Sequence, residues 1–578
     1  MCGIAGVVGA RASAELAGRM ARRLVHRGPD GEGLWHAPGI ALSHRRLSIQ
    51  DLSEAGHQPM VYGEQVLTYN GELYNHESIR PGLPGPWNST GDTEVLLRLL
   101  AVRGIGALRR VAGMFAFALW DGTQRRLTLA RDRLGIKPLY YQLLPEGIAF
   151  ASELKALLEL GKPPVDRSAV RDYLFHGYIP APKTIYQGIQ KLPAGHTLTW
   201  SQGRVTLERY WTPSAATEVR DGARARDELD ALLGEVVPAH TIADVPVGVF
   251  LSGGIDSALT TYYLTAPHTY TLAFEQGGRS EAQAARAVAE HLHTQHLELT
   301  APAADFAGAL DLMPQLFDEP FGDSAAWSNY LVARFARREV TVALSGEGGD
   351  EIFCGYPRYW SHVGARSTRF NRALAQLLPP LSRLSSSLQR RALEGLPAYA
   401  AALGGLTALQ VEALLGQDWL ESGYDYGWFY RQHWREDLAP AQRLRWLDVH
   451  TDLAEGLLTK VDRTSMAHSL EVRPPLLDHR LVEYLLHVDP ALLVDPAQRR
   501  GKLLVRQLMA PRLPPGHLDR PKSGFGLPVH RWLTSHRPLL RAAVARLRAA
   551  GVLRTAVPDD FRRAWQLLVL DRWFTAFG

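Results

Sequence analysis

The chain reads as an α/β protein of two large parts, and three features of the sequence carry that expectation. Its 578 residues exceed what one hydrophobic core organises, since single cores stop growing at roughly 250–300 residues. Three short apolar stretches, at 245–249, 269–274 and 340–344, are separated by segments of helical periodicity, the order that builds a parallel sheet. Two of them end in glycine-rich turns, Ser252-Gly253-Gly254-Ile255-Asp256-Ser257 and Ser345-Gly346-Glu347-Gly348-Gly349-Asp350-Glu351. In an open parallel sheet the binding site lies outside the strands' carboxyl ends, where these turns fall.

Taken from its start, the chain opens on a glycine-rich apolar strand over 3–9 led by Cys2. Alone, a second-position cysteine reads as an accident of a frayed end. Joined to a strand it is held in place, and removal of Met1 would give it a free α-amine whose ordinary pKa of about 7.7–8.0 lets it take a proton near neutral pH. One residue would then supply both nucleophile and base. A turn at His26-Arg27-Gly28-Pro29-Asp30-Gly31 follows, then Arg46-Leu47-Ser48-Ile49, Tyr69-Asn70-Gly71-Glu72-Leu73-Tyr74-Asn75 and Thr90-Gly91-Asp92-Thr93-Glu94. With the strings at 113–119 and 131–140, these resemble the class II glutaminase domain, an N-terminal-nucleophile (Ntn) hydrolase αββα sandwich, over residues 1–210.

The resemblance implies a site for free glutamine. Arg46 would hold the α-carboxylate, a task its planar fork suits, and Asp92 the α-ammonium with Glu72 nearby. Leu47, Ser48 and Ile49 would line the same pocket. Asn70 and the Gly71 N–H would form an oxyanion hole. Cys2 would attack the side-chain amide, release ammonia and leave a thioester for water.

Residues 211–223 lose hydrophobic periodicity and read as a linker, and 224–242 reads as an amphipathic helix leading into the second part, 224–578. A strand ending in Ser-Gly-Gly and turning into a helix offers several N–H groups to a phosphate. No lysine follows, so Asp256 beside an anion suggests a bridging Mg²⁺. The SGGIDS string resembles the pyrophosphate loop of the ATP pyrophosphatases. With SGEGGDEIF, Lys460-Val461-Asp462-Arg463, Glu471-Val472-Arg473-Pro474-Pro475-Leu476-Leu477-Asp478 and Arg520-Pro521-Lys522-Ser523-Gly524-Phe525-Gly526, it resembles the synthetase domain of the glutamine-hydrolysing asparagine synthetases.

That resemblance implies a doubly wound parallel sheet followed by a helical C-terminal segment. Leu251, Phe274, Ser345 and Gly346 would meet the adenosine, and Ser252, Gly253, Gly254, Asp256 and Ser257 the phosphates of ATP. Asp256 and Asp350 would share Mg²⁺, Glu351 would assist formation of the acyl-adenylate, and Lys522 would stabilise charge at the reacting centre. The acceptor acid, aspartate by resemblance, would be met by loops around 318–324, Glu351 and Arg473. Two positions depart from the family pattern: Cys354 stands where glycine is usual, and Pro474 where valine is more usual. Cys354 reads first as a small buried residue.

Composition narrows the rest. A formal charge of +5 with arginines dispersed among acids argues against nucleic-acid binding. Two cysteines are too few for a disulfide framework and form no zinc-like pair. No apolar run approaches the roughly 20 residues that span a bilayer, and a cytoplasmic protein without membrane contact is expected, with homodimerisation left open. The rivals to this reading are the same two-site enzyme acting on another acid, a ring-closing ligase that uses the substrate's own amine, and a non-catalytic sensor.

Overall fold

The computed structural model describes residues 2–274, 279–301, 306–361, 395–403, 405–520, 532, 536–557 and 564–578. Its first strands are β1 (Gly3–Gly9), β2 (Gly31–Ala37), β3 (Ile40–Arg46), β4 (Met60–Tyr62), β5 (Gln65–Leu73) and β6 (Gly113–Asp121). They are followed by β7 (Arg126–Arg131), β8 (Tyr140–Leu144), β9 (Gly147–Ala151), β10 (Ile189–Lys191), β11 (His196–Ser201) and β12 (Arg204–Arg209).

These strands form two antiparallel sheets, ordered β10-β8-β9-β1-β3-β2 and β12-β11-β7-β6-β5-β4. Alternation along β1 shows why they stack. Ile4 and Val8 face the second sheet, in a core shared with Leu42, Ala118, Leu129 and Phe150. Ala5 and Val7 face the other way, against Leu16 and Met20 of the helix Ala14–Arg22. That helix starts cleanly because Ser13 Oγ accepts the Leu16 N–H at 3.2 Å. Across the sandwich, Leu96, Leu97 and Leu100 of the helix Asp92–Arg103 cover Leu67 and Tyr69 of β5. The result is the helix–sheet–sheet–helix layering expected from the sequence.

The second part carries a five-stranded sheet of β13 (Val247–Phe250), β14 (His268–Phe274), β15 (Gln295–Ala301), β16 (Val342–Leu344) and β17 (Glu471–Arg473), ordered β15-β14-β13-β16-β17. Every pairing is parallel, with Val249 opposite Thr269 and Leu344, and Leu344 opposite Arg473. The three strands read from sequence are β13, β14 and β16. The outer strands β15 and β17 gave less signal, one being polar and the other three residues long. Beyond Gly395 the described residues are largely helical and end on the helix Ala564–Phe577.

The helix expected over 224–242 runs from Gly222 to Ala239, because Asp221 caps it by accepting the Arg224 N–H at 2.8 Å. Residues 211–223 are not a slack spacer. Glu218 N and Val219 N donate to His487 O at 2.9 and 3.1 Å, and Gln442 Nε2 donates to Ala215 O at 2.5 Å. Their partners lie more than two hundred residues away, which is why local periodicity showed nothing.

The two parts meet through buried charge. Arg27 donates to Asp462 through Nη1 at 2.8 Å and Nη2 at 3.1 Å, and Nη1 also reaches Glu153 at 2.8 Å. Arg463 lies 2.9 Å from Glu153, Arg131 3.3 Å from Glu455, and Lys191 2.6 Å from Glu319. Such pairs hold only where each charge is met, since desolvating an ion costs several kcal/mol.

Candidate active sites at the chain start and the sheet edge

Cys2 sits where β1 begins, buried, and its N–H donates to Asn70 Oδ1 at 2.9 Å. Its carbonyl accepts from Arg27 Nε at 3.1 Å, so the residue is clamped on both sides. Burial pushes the thiol above its ordinary range, with the Leu47 N–H and the Arg46 charge pulling the other way. A neutral thiol of this kind needs a base to take its proton before it can attack.

Asn70 is fully buried, and its Nδ2 has no hydrogen-bond partner among the described residues. A buried amide N–H₂ left open beside a nucleophile is a donor waiting for an acceptor, as an oxyanion hole requires. Gly71 follows because nothing larger fits: a Cβ there would stand 2.4 Å from Met114 O and 2.8 Å from Phe115 Cα on β6. Asp92 Oδ2 accepts from Tyr69 OH at 2.8 Å and Leu73 N at 2.9 Å. Burial raises the carboxyls of Glu72 and Asp92, so an incoming ammonium would offset a real electrostatic cost.

The structure therefore gathers Cys2, Asn70, Gly71, Glu72 and Asp92 around one end of β1 and β5. Arg46 Nη1 and Nη2 are engaged by the carbonyls of Ser53, at 2.8 Å, and Asp51. Each terminal nitrogen keeps a second N–H for a carboxylate. Ser48 N donates to Asp30 Oδ2 at 2.8 Å, while Leu47 and Ile49 pack against Val342 and Met466 of the second part.

The second candidate site is built on β13 and β16. After β13 the chain winds round Ser257, whose Oγ accepts from Ser252 N at 3.0 Å and shares its single proton between Ser252 O and Gly254 O, 3.1 Å away each. The helix Ile255–Tyr262 starts there. The neighbouring loop presses close. A Cβ on Gly346 would lie 2.7 Å from Ser257 N, and one on Gly349 2.5 Å from Asp256 Cγ. Glycines at these positions let the two loops touch, and Gly348 takes a positive φ of 86°.

Asp256 and Asp350 both reach the Lys502 ammonium, which lies between them, bonded to Asp256 and 2.5 Å from Asp350 Oδ1. Two carboxylates within reach of one cation suit Mg²⁺, which takes one or two protein carboxylates beside its nucleotide. Among the described residues no group of three or more His, Cys, Asp or Glu forms a dedicated metal cage.

Leu251 is buried with its side chain in the core, its N–H donates to Tyr270 O at 3.0 Å and its carbonyl accepts from Thr271 Oγ1. Ser345 is buried, its N–H donates to Arg473 O at 3.0 Å, and its Oγ has no hydrogen-bond partner among the described residues. Glu351 is 2% exposed, and its Oε1 accepts from Tyr356 OH at 2.6 Å. Burial, with the Asp350 charge next, pushes its carboxyl up to about 8. The side chain of Phe274 and the whole of Lys522 lie outside the described residues.

The loops expected to receive the acceptor acid divide. The Arg473 side chain is fully buried and turned towards Glu72, 2.9 Å away, not towards the ATP loops. Asp318 is likewise committed, accepting the Lys155 N–H at 3.0 Å. Asp323 instead meets Lys460 Nζ at 2.8 Å. Glu347 stands in the second loop, its carboxyl raised by burial and lowered by the Lys460 charge.

Sequence reading passed over Lys502, Lys460 as an active-site cation, and Glu347. Lys502 follows a glycine at a helix start, with a left-handed φ of 58°, and no local pattern ties it to Asp256. Cys354 also has a positive φ, 59°, which explains why glycine is natural there. Burial pushes its thiol up to about 12, the mark of an inert packed sulfur.

Comparison with known proteins covers both sites. Residues 1–211 match the glutamine amidotransferase domain model and residues 228–574 the asparagine synthase model. A Mycobacterium tuberculosis relative is 33% identical over 100% of this chain and 95% of its own length. Asparagine synthetase [glutamine-hydrolyzing] 1 of Bacillus subtilis is 31% identical, covering 92% of this chain and 88% of its own. Amidase chyE of Penicillium rubens is 28% identical over 88% of this chain and 86% of its own.

Proposed function

The chain belongs to the glutamine-hydrolysing asparagine synthetase family, ligases with glutamine as amide donor, and from that premise we propose which residues carry each half of the reaction. Residues 1–210 form the glutaminase and 224–578 the synthetase. After loss of Met1, the Cys2 amine takes the thiol proton and the sulfur attacks the glutamine side-chain carbonyl. Asn70 Nδ2 and the Gly71 N–H receive the oxyanion, the proton passes to the leaving ammonia, and water later cleaves the thioester to glutamate. Arg46 and the Glu72/Asp92 pair hold the two ends of the amino acid.

In the synthetase the two glycine loops receive ATP, and Asp256 and Asp350 would hold Mg²⁺, which screens the negative charge of the pyrophosphate leaving group. The β-carboxylate of aspartate displaces pyrophosphate at the α-phosphorus, giving an acyl-adenylate. Ammonia then attacks that carbonyl, releasing AMP and asparagine. We assign Glu347 ahead of Glu351 as the carboxylate at the acyl centre, because Glu347 stands in the second glycine loop within the field of Lys460, Asp350, Asp323 and Asp256, whereas Glu351 is sealed against Tyr356. Ammonia is mostly protonated in neutral water, so it has to pass between the sites out of solvent.

The observation that carries the glutaminase assignment is the contact of Cys2 N with Asn70 Oδ1 beside an Asn70 Nδ2 that no described residue engages. Cys2→Ala tests it: glutamate release is lost while ammonia-driven AMP formation persists. A second reading, another acid as acceptor, draws on Pro474 in the turn after β17 and on the likeness to an amidase. Purified protein given glutamine, ATP and a panel of acids decides between them. AMP formed with another acid and not with aspartate rejects the asparagine assignment.

A further inference from the structure

Arg473 has no part in the chemistry above, yet it is fully buried and almost every donor on its guanidinium is used. Nε donates to Glu471 Oε1 at 2.6 Å, and Nη1 to His240 O at 2.8 Å and Ile242 O at 2.7 Å. Nη2 crosses between the two parts of the chain to Glu72 Oε2 at 2.9 Å. The other Glu72 oxygen accepts from Gln50 Nε2. Glu72 is 2% exposed and follows Asn70 and Gly71 directly on β5.

The main chain of Arg473 faces the other site. Its carbonyl accepts the N–H of Ser345, where the second glycine loop begins, and Arg473 pairs with Leu344 on β16. Three carbonyl or carboxylate groups on its own side of the boundary fix the guanidinium before Glu72 is counted. A lysine, a point charge with three donors, cannot span four acceptors laid out in this plane.

We propose that Arg473 is a positioning residue of the glutamine site, holding the Glu72 carboxylate in the orientation that meets the α-ammonium of glutamine. The inference rests on the reading that Glu72 faces the substrate. Burial together with the charges of Asp92 and Glu471 disfavours an ionised Glu72, and the Arg473 charge works against them. Without Arg473 the carboxyl would lose both its anchor and its main compensating charge. Binding of glutamine would suffer before the chemistry at Cys2 does.

The test uses the full-length enzyme carrying Arg473→Lys, Arg473→Met or Glu72→Gln, with glutamate release measured against glutamine concentration and ammonia-driven AMP release measured in parallel. The expected result is a glutamine KM raised about tenfold or more in both Arg473 variants, with kcat within about threefold, a split that general loosening would not give. The ratio of glutamine-driven to ammonia-driven kcat/KM falls accordingly. Should Arg473→Met fail to fold, Arg473→Lys carries the test. A KM unchanged in Arg473→Lys but raised in Glu72→Gln overturns the inference and leaves the reading of Glu72 standing. An unchanged KM in both overturns the two together, and parallel loss of both activities in Arg473→Lys reduces Arg473 to a structural part.

Discussion

Replacing Asp462 by asparagine tests how strongly buried charge holds the two parts together. Asp462 accepts from both terminal nitrogens of Arg27, at 2.8 and 3.1 Å, and lies 3.6 Å from Lys137 Nζ. An amide of the same shape keeps one acceptor but turns an N–H₂ towards a guanidinium. Breaking a buried ion pair from one side costs about 3–5 kcal/mol. Glu153, 2.8 Å from Arg27 Nη1, still compensates part of the charge and places the loss near the lower end, about 3 kcal/mol. With an unfolding entropy of about 2.1 cal/mol/K per residue, the whole chain unfolding together would lose about 2–3 °C in Tm. A separately melting unit of about 210 residues would lose about 7 °C. Scanning calorimetry reads both cases. The pH dependence adds a check. Burial raises the Asp462 carboxyl, but the Arg27 and Lys137 charges outweigh this and hold it below its usual range. A depressed carboxylate stabilises the fold above its unfolded pKa of about 3.9 and ceases to as pH falls through the lower folded value. The gap between wild type and variant is therefore full near neutrality and closes below about pH 4. A shift under about 1 °C in every transition at neutral pH would refute the argument.

Three further outcomes follow from the geometry. Gly71→Ala pushes a methyl against the β6 main chain and displaces the oxyanion donor, so glutamate release falls about 10²-fold while ammonia-driven synthesis continues. Lys502→Met removes the cation between Asp256 and Asp350, and ATP–pyrophosphate exchange falls about 10- to 100-fold with glutamate release retained. Asp452 has its carboxyl pushed up to about 6, chiefly by burial. A raised acid costs stability as pH climbs from its unfolded value of about 3.9 to its folded one, so Asp452→Asn gains up to about 3 kcal/mol above pH ~6 and nothing below pH ~4 in denaturant titrations.

How far the molecule could be read from its sequence depends on the range of the interaction. The pairing of Asp256 with Asp350 came with the family resemblance. Strands β1, β13, β14 and β16 and the glycine turns follow from local pattern, because glycine and apolar runs act on their own neighbourhoods. Lys502 did not, since 246 positions separate it from Asp256 and nothing near Gly501 marks a site. Arg473 was read as an acceptor residue from its string, yet its side chain faces the opposite way along a strand of three residues. Asp462 and Arg463, quoted as part of a synthetase signature, spend their charge on Arg27 and Glu153 of the glutaminase. A motif shows that residues belong together. It does not show which surface they serve.

The junction built on Arg27, Asp462, Glu153 and Arg463 constrains how this enzyme can be re-engineered. A contact face of hydrocarbon tolerates exchange of one apolar side chain for another, but a dry face of matched ions tolerates only exchange in sets. A foreign glutaminase grafted onto this synthetase would need its own arginine opposite Asp462 and its own acid opposite Arg463. Either half produced alone would expose several unmet charges on a surface shaped to exclude solvent, and chimeras are better cut where charge is balanced than where the chain looks slack.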